Sequence, residues 1–412
     1  MAGNTRTRII SQSKAVYASP TGILGPTTAQ AGLSGYIPDQ LHRIDTFSFN
    51  IDLAGARTDI REFGQLARIG VITMSEVSPT FNFGYYLGDG ENEARLGFNI
   101  EGITGTTALN GTGANQFTKG FQTEDNNKKE KNLYVLTVKE GEDAFAAGSD
   151  FSGQRTNHDV VSFGNCTFNN YTASFAVGEI PRVDIEGVAD NVLFNTGQSS
   201  GLPNPSLDLT GAPADTGEYR LDLPSTGEMD LLVLRPDDVT LTFSNGDFDI
   251  GGTKFDEMHV QSASIEVPLS RTPIEALGAE RAVARPVDYP IDVTLSCSAI
   301  MRTINDGRLD MILTGLGDQN TTDIELKVDR NAGGVRNRWR LQNAVLDSQD
   351  FGLGLEDNET VDLVFSCQLG GATQIKDGLF YTGYFAHNKD ANDKRSYTNV
   401  DSIVDSGHVY KK

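Results

Sequence analysis

The chain has 412 residues, with 34 Lys and Arg against 56 Asp and Glu, so its formal net charge is −22 at pH 7. Because proteins that grip nucleic-acid phosphates need basic patches, this balance argues against a DNA-binding surface. The hydrophobic fraction of 38% is ordinary for a globular protein, and the length predicts two or three domains rather than one core.

Residues 1–11 are polar and are predicted to form an N-terminal arm. They lack the apolar core of a signal peptide, and no later stretch has the roughly 18 apolar residues that a membrane-spanning helix requires. We therefore expect no membrane anchoring, and a protein that is made and kept in the cytosol or released by lysis.

A seven-residue motif occurs twice, as TDIREFG at residues 58–64 and as TPIEALG at residues 272–278. In the second copy a Thr, a Pro and a Glu follow the pattern of a helix N-terminus, and the final Gly follows that of a helix stop. Each copy is therefore predicted to form one and a half turns of α-helix. The predicted helix caps are Thr58, Gly64, Thr272 and Gly278.

The segments around this motif repeat as well, and most alternate apolar with polar residues as half-buried strands do. The matched segments are 47–53 with 263–269, 79–85 with 290–296, 133–138 with 324–328, 166–171 with 344–349, and 183–188 with 361–366. The sequence thus predicts a mainly β fold with short α-helices, built from two tandem copies of one domain.

This repeat sets the predicted organisation of the chain. The predicted segments are the arm at 1–11, a first domain at 12–195 with an insertion at 102–130, a linker at 196–234, a second domain at 235–372 and a C-terminal tail at 373–412. The insertion is rich in Gly, Thr and Asn and is predicted to be a surface loop. The aromatic residues at 380–385 are predicted to dock on a neighbouring molecule.

A further short helix is predicted at residues 88–97, which are acidic at the start and end in glycine. A calcium loop is the other interpretation, but the full ligand spacing is missing. The cysteines, Cys166, Cys297 and Cys367, lie in strand-like runs and are predicted to be buried thiols. With the five histidines scattered, we expect neither a metal nor a cofactor.

Several short runs in the first copy carry a resemblance when they are taken in order. They are QLHRI at 40–44, TDI at 58–60, FGQLARI at 63–69, SPTF at 78–81 and NEARLGF at 92–98, with partial matches at 264–268 and 285–287. The set resembles the tail tube (major tail) proteins of long-tailed bacteriophages, here with the tube domain duplicated in one chain. The resemblance does not extend to the insertion or the tail.

The resemblance implies a small β-sandwich or half-barrel flanked by a helix, stacked as rings into a pipe through which the phage genome passes. It implies a structural protein of the virion tail that acts in viral genome ejection and assembles in the host cytoplasm. Such units normally come six to a ring. Two copies in each chain would close a pseudo-hexameric ring from three chains, and a ring of six chains is the alternative.

The partners implied are further copies of the chain and other tail proteins, such as the tape measure, terminator and tail-tip proteins. DNA would pass through the ring without specific binding. Acidic residues that alternate with apolar neighbours are the candidates for lining the lumen: Asp52, Asp184, Glu186, Glu266, Asp292 and Asp362. The competing interpretation is that these residues lie on ordinary solvated outer faces.

Two other functions compete with the tube. A trimeric tail-tip or baseplate hub would use the same fold in a single ring, whereas a secreted acidic β-rich adhesin would predict calcium repeats and an export signal. An enzyme is not expected. The GQSSG string at 197–201 matches a nucleophile elbow, but the LPNP that follows it cannot begin the helix which that elbow requires.

Overall fold

A computed structural model gives the structure of part of the chain. It describes residues 14–21, 38–53, 56–73, 77–88, 90–100, 116–122, 130–138, 158–196, 202–214, 218–219, 221, 239–243, 249–250, 253–254, 259–300, 321–330, 334–352, 360–369 and 378–383. The predicted arm at 1–11 lies outside the described residues, as do most of the insertion and most of the tail.

The fold is mainly β, as predicted, and every strand pair is antiparallel. The strands of the first part of the chain are β1 (Ala15–Pro20), β2 (Asp39–Leu41), β3 (Ile44–Asn50), β4 (Arg57–Ile60), β5 (Gly70–Thr73), β6 (Thr80–Tyr86), β7 (Lys131–Val138), β8 (His158–Ala176), β9 (Arg182–Val188), β10 (Asn191–Thr196), β11 (Leu202–Pro203) and β12 (Glu218–Tyr219). Those that follow are β13 (Val239–Phe243), β14 (Asp249–Ile250), β15 (Thr253–Lys254), β16 (His259–Pro268), β17 (Ile291–Ile300), β18 (Thr322–Arg330), β19 (Gly334–Gly352), β20 (Thr360–Leu369) and β21 (Gly378–Gly383).

Fifteen of these strands join in one sheet system. Two 19-residue strands, β8 and β19, organise it. The N-terminal part of β8 pairs with β7 and β10, and its C-terminal part pairs with β9 and β16. In the same way β19 pairs first with β18 and β21 and then with β20. Each long strand therefore connects two layers of the structure.

The two halves of the sheet system follow the same pairing scheme, down to their irregularities. The β3·β6 pair has a bulge at 44–46 and the β16·β17 pair has one at 260–262. Likewise, the β8·β9 pair is bulged at 168–170 and the β19·β20 pair at 346–348. Bulges interrupt register at specific residues, so matched bulges support the strand matches made from sequence. That the halves are tail-tube domains with the stated boundaries stays a prediction.

One of the sequence matches is wrong by three residues. Phe49 and Ile265 are matched positions, and they lie opposite Phe81 and Leu295 respectively. Phe81 therefore corresponds to Leu295, whereas the sequence match of 79–85 with 290–296 pairs it with Asp292. An odd shift along a strand exchanges the two faces of the sheet, and only the observed register keeps both side chains in the core.

The helices predicted at 58–64 and 272–278 are wrong, because both segments belong to β-hairpins. β4 pairs with β5, and an isolated bridge joins Ile274 to Ala284. The backbone N–H of Ile69 donates to the carbonyl of Ile60 at 2.9 Å, and that of Val283 donates to the carbonyl of Ile274 at 2.7 Å. Helices this short have few internal hydrogen bonds to offset nucleation, whereas the hairpin pairs the backbone across two arms.

The predicted caps have other positions in these hairpins. Thr58 lies within β4, and the hydroxyl of Thr272 donates to Asp288 Oδ2 at 2.8 Å across the second hairpin. Gly64 and Gly278 do adopt left-handed conformations, with φ of 96° and 92°. That part of the prediction is right, but the conformation turns a hairpin rather than ending a helix.

The helix predicted within 88–97 is confirmed as α1 (Glu91–Leu96), which ends at the left-handed Gly97. Just beyond it, the backbone N–H of Asn99 donates to the carbonyl of Phe117 at 2.8 Å, next to a 3-10 turn, Lys119–Gln122, that lies in the predicted insertion. Phe117 and Phe121 are buried there, so this part of the insertion is not a surface loop. The rings of Phe98 and Phe117 stack at 4.5 Å between centroids.

Residues 380–383 of the predicted aromatic segment belong to the core of the same chain. They lie in β21, which pairs with β19 and buries Leu379, Phe380 and Tyr381. The ring of Tyr381 packs against Trp339 of β19 at 4.6 Å and against Phe117 at 5.6 Å. The predicted docking on a neighbouring molecule is therefore wrong for Phe380 and Tyr381, because their apolar surface is already covered. Residues 384 and 385 of the same prediction lie outside the described residues.

Part of the predicted linker is packed rather than extended. Residues 202–214, here called the strap, cross the bulge between β7 and β8. The side-chain amide of Asn132 donates to Asn204 Oδ1 at 3.0 Å and to Ser206 Oγ at 2.8 Å, and all three residues are buried. The three cysteines are buried thiols with no disulfide between them, as predicted.

Candidate functional site: an acidic sheet face

Eight strands form a continuous layer in the order β3, β6, β9, β8, β16, β17, β20 and β19. Alternate residues of these strands point to opposite sides of the layer. One side is the core, which includes Phe83, Ile185, Ile265, Leu295 and Leu363, each no more than 1% exposed. The other side is polar and lies at the surface. We call it the acidic face.

Five of the six candidate acids lie on this face. Directly opposite residues of an antiparallel pair share a face, and Thr172 lies opposite both Asp184 and Glu266. Glu186 is two residues beyond Asp184 on β9 and is exposed. The remaining two acids join through the β17·β20 pair, in which Asp292 lies opposite Gln368 and Asp362 opposite Ser298. The sixth candidate, Asp52, is exposed two residues beyond the end of β3.

The structure adds one acid that the sequence had not identified. Asp350 of β19 lies directly opposite Asp362 of β20 and is exposed. Sequence alternation did not identify Asp350, because the bulge at 346–348 inserts an extra residue and shifts the alternation along β19. The face is otherwise rich in small polar side chains, including Ser48, Asn82, Thr172, Ser264, Thr294 and Ser366.

One cation lies on the face and was also missed. Arg182 is the one Arg or Lys that the described parts of these eight strands contribute to it. Its guanidinium donates to Asp184 Oδ1 at 2.9 Å and to Asp45 Oδ2 at 2.6 Å, so two carboxylates neutralise it. The sequence offered no signal for the second pair, because Asp45 lies on another strand at a bulge. The face therefore keeps an excess of negative charge.

The carboxylates of this face make it negatively charged. They belong to separate positions on the layer, and the described residues contain no group of three or more His, Cys, Asp or Glu side chains placed to hold a metal ion. Beneath it, burial, together with the weaker effect of Asp362, raises the pKa of the Cys297 thiol to about 12. That thiol is consequently protonated and unreactive at neutral pH.

No helix among the described residues is long and apolar enough to cross a membrane.

Apolar side chains are exposed at the hairpin tips. Phe63 and Leu277 occupy matched positions and are both fully exposed, at 106% and 108% of their reference areas. Leu66 is equally exposed on the first hairpin. A folded monomer gains nothing from apolar side chains in this position, so the tips are candidates for contacts with other molecules.

The base of the second hairpin is fixed to the first half of the chain. Arg271 Nε donates to the carbonyl of Phe168 at 3.1 Å, and Arg285 pairs with Asp190 at 2.9 Å. In the first hairpin the residue that corresponds to Arg271 is Arg57, which is exposed. The two hairpins therefore differ in their contacts although they share a turn.

No protein-family model matches the chain, and no curated protein matches it at a significant level.

Proposed function

We propose that this chain is a structural protein of a bacteriophage tail, whose rings stack into a tube with the acidic face lining the lumen. The observation that carries the proposal is this face, which runs without interruption across both halves of the chain. Its carboxylates repel DNA phosphates, and Arg182, the one Arg or Lys on the described part of this face, is already neutralised by Asp45 and Asp184. DNA could then slide along such a wall without being held.

The position of the charges on one face suits the wall of a passage better than a binding site. At physiological salt, electrostatic interactions fade over about 8 Å, so only charges that line the path of the DNA affect its movement. Glu186, Glu266, Asp292 and Asp362 are exposed on that single face. The overall charge also helps the chain stay soluble before assembly.

The exposed hairpins supply the other requirement of a tube, which is contact between successive rings. Their apolar tips extend from the ends of strands, and burying the Phe63 and Leu277 side chains against another ring would contribute roughly 2–3 kcal/mol each. A ring of three chains, with two similar units in each chain, is favoured over a ring of six.

The test is an electron-microscopy and DNA-retention experiment on the purified full-length chain. Negative-stain images should show rings or tubes with a central hole, and a higher-resolution map should place Glu186, Glu266 and Asp292 on the lumen wall. Replacing these three residues with Lys should leave the rings intact but make them retain short duplex DNA, with the retention lost at high salt. The matched control carries Gln, Gln and Asn at the same positions.

Three results would count against the tube. They are compact monomers at high protein concentration, acids located on the outer wall, and no retention of DNA by the lysine variant. A single ring that never stacks would instead favour the tail-tip hub, because a hub needs one threefold layer and a tube needs many.

A further inference from the structure

The eight-stranded layer ends in two open edges. One edge is β3, and the other is the C-terminal part of β19, which pairs on its other side with β20. Among the described residues, no strand pairs with either of these outer edges. An open edge presents backbone N–H and C=O groups that can pair with another chain.

These two edges correspond to strands that meet inside the same chain. β3 corresponds to β16, and β19 corresponds to β8, as the matched bulges show. Within the chain, β8 and β16 form a regular antiparallel pair in which Thr172 lies opposite Glu266. The internal β8·β16 junction is therefore a template for joining β19 of one copy to β3 of another.

Apolar side chains at the internal junction are buried, whereas their counterparts at the open edge are exposed, as expected if a second copy covers that edge. Ile265, Val267 and Leu269 are each 0% exposed at the internal junction. Their counterparts Phe49, Ile51 and Leu53 are 41%, 36% and 46% exposed at the open edge. The apolar face of the open edge thus lacks the cover that the first half of the chain gives to its counterpart.

The other open edge shows the same contrast. Leu346 of β19 lies opposite the buried Phe365 and so faces the core side of the layer. It is half-buried, whereas its counterpart Phe168 of β8 is 0% exposed. A second copy on this edge would complete the burial of Leu346.

The hairpin arginines extend the match beyond the strands. Arg271 crosses the internal junction to reach the carbonyl of Phe168, and it also donates to the carbonyl of Arg285 at 2.8 Å. Leu346 is the counterpart of Phe168, and the exposed Arg57 is the counterpart of Arg271.

We propose that β19 of one chain pairs antiparallel with β3 of a second copy, in the register of the β8·β16 junction. Asp350 of the first chain then lies opposite Asn50 of the second copy, and Arg57 of the second copy donates to the carbonyl of Leu346 of the first chain. The contact is head to tail, so it extends the acidic face from chain to chain and closes when the rotations complete a circle. The inference gives the proposed ring assembly its interface and rests on that function.

A disulfide-trapping experiment tests the register. Asn50→Cys and Asp350→Cys are combined in the full chain and oxidised mildly, because directly opposite residues of an antiparallel pair lie at a separation that a disulfide can span. The matched control combines Asp350→Cys with Thr46→Cys, which lies four residues away on β3, roughly 13 Å along the strand. The three native thiols are buried and supply little background.

We expect the in-register pair to give at least about tenfold more covalent oligomer than the control on a non-reducing gel, since the control cysteines are out of disulfide reach. Rings seen by microscopy without this crosslink would overturn the interface and leave the tube function standing. An open-ended covalent ladder without rings would keep the interface and overturn the closed tube. A chain that neither crosslinks nor associates would overturn both.

Arg57 gives a second, independent test. Arg57→Ala should weaken self-association at least about tenfold, because it removes a charge-assisted hydrogen bond at the contact. Arg61→Ala is the matched control, since Arg61 lies on the same hairpin, is exposed, and has its guanidinium 3.7 Å from Asp59 Oδ2. Sedimentation velocity reports the association, and thermal unfolding shows that both variants fold. Equal association by the two variants would contradict the role of Arg57.

Discussion

Asn165 and Asn343 adopt the same left-handed backbone conformation, with φ of 52° and 56°, at matched positions of β8 and β19. The backbone N–H of Asn165 donates to Asn132 Oδ1 at 3.1 Å, and that of Asn343 donates to Asp323 Oδ1 at 2.9 Å. Asn132 and Asp323 are themselves matched on β7 and β18. Both long strands therefore pass from one layer to the next through a left-handed Asn whose backbone N–H is bound by a side chain of the neighbouring strand.

The first prediction concerns this pair of asparagines. Asn tolerates the left-handed region better than Ala, so Asn165→Ala and Asn343→Ala should each lower the free energy of unfolding by about 1–2 kcal/mol. Asn165→Ala should cost more, because its side chain also accepts the N–H of Leu207 in the strap at 2.8 Å. Chemical denaturation measures both values, and Asn343→Gly is a control that removes the side chain without the strain. Equal losses for the two Ala variants would contradict the role of the strap.

Gly187 offers a test of packing within the eight-stranded layer. A Cβ at this position would collide with the ring of Phe81 and the carbonyl of Thr167. Gly187→Ala should therefore destabilise the fold by about 1–3 kcal/mol, the usual cost of overpacking a core. The control is Gly70→Ala, since nothing lies within 4 Å of a Cβ added there. Comparable unfolding midpoints for the two variants would show that the described packing around Phe81 is wrong.

The third prediction is a pH dependence from His42. Its burial, and secondarily the nearby charges of Arg95 and Arg43, lower its pKa to about 4. The unfolded chain, with a pKa near 6.5, then binds more protons between these two values, so stability rises with pH across that window. Lowering the pH from about 6.5 to about 4 should cost about 3 kcal/mol through this residue.

The measurement is the difference in unfolding free energy between the wild type and His42→Gln as a function of pH. Taking the difference removes the titration of the carboxylates, which both proteins share. The backbone contacts of residue 42 with Asn92, at 2.9 and 2.8 Å, do not need the imidazole and should persist in the variant. Parallel stability curves for the two proteins would refute the prediction.

The fourth prediction separates folding from assembly at the hairpin tips. Phe63→Ser and Leu277→Ser should change the unfolding free energy of the monomer by no more than about 0.5 kcal/mol, because neither side chain is buried on folding. Both should reduce the growth of higher assemblies, as followed by light scattering and electron microscopy. Glu62→Gln is the control at the first tip. A large loss of monomer stability would show that the tips pack within the chain.

Much of this arrangement followed from local sequence pattern. Alternation placed Asp184 and Glu186 on a polar face opposite Val183 and Ile185, because side chains in a strand point to opposite sides whatever the fold. The end of α1 at Gly97 also followed, since a glycine readily takes the left-handed conformation that stops a helix.

Other features depended on contacts between segments that lie far apart along the chain. Thr58 and Gly64 have the local signals of a helix, but β5 supplies backbone partners that make a hairpin instead. The local run of aromatic residues in β21 is the same whether these side chains pack on a neighbouring molecule or on Trp339 of their own chain. Nothing local distinguishes those two outcomes, because exposure is decided by what packs on top.

The acidic face itself shows the same division. Its individual acids could be predicted from alternation, whereas their union on one surface depends on the pairing of β8 with β16, which lies between the halves. The pairing of Arg182 with Asp45 likewise depends on β3 and β9 lying on either side of β6. The sequence by itself determines the charge of each residue. Which charged residues share one face of the sheet is decided by the strand order, because only the assembled sheet fixes which strands are neighbours.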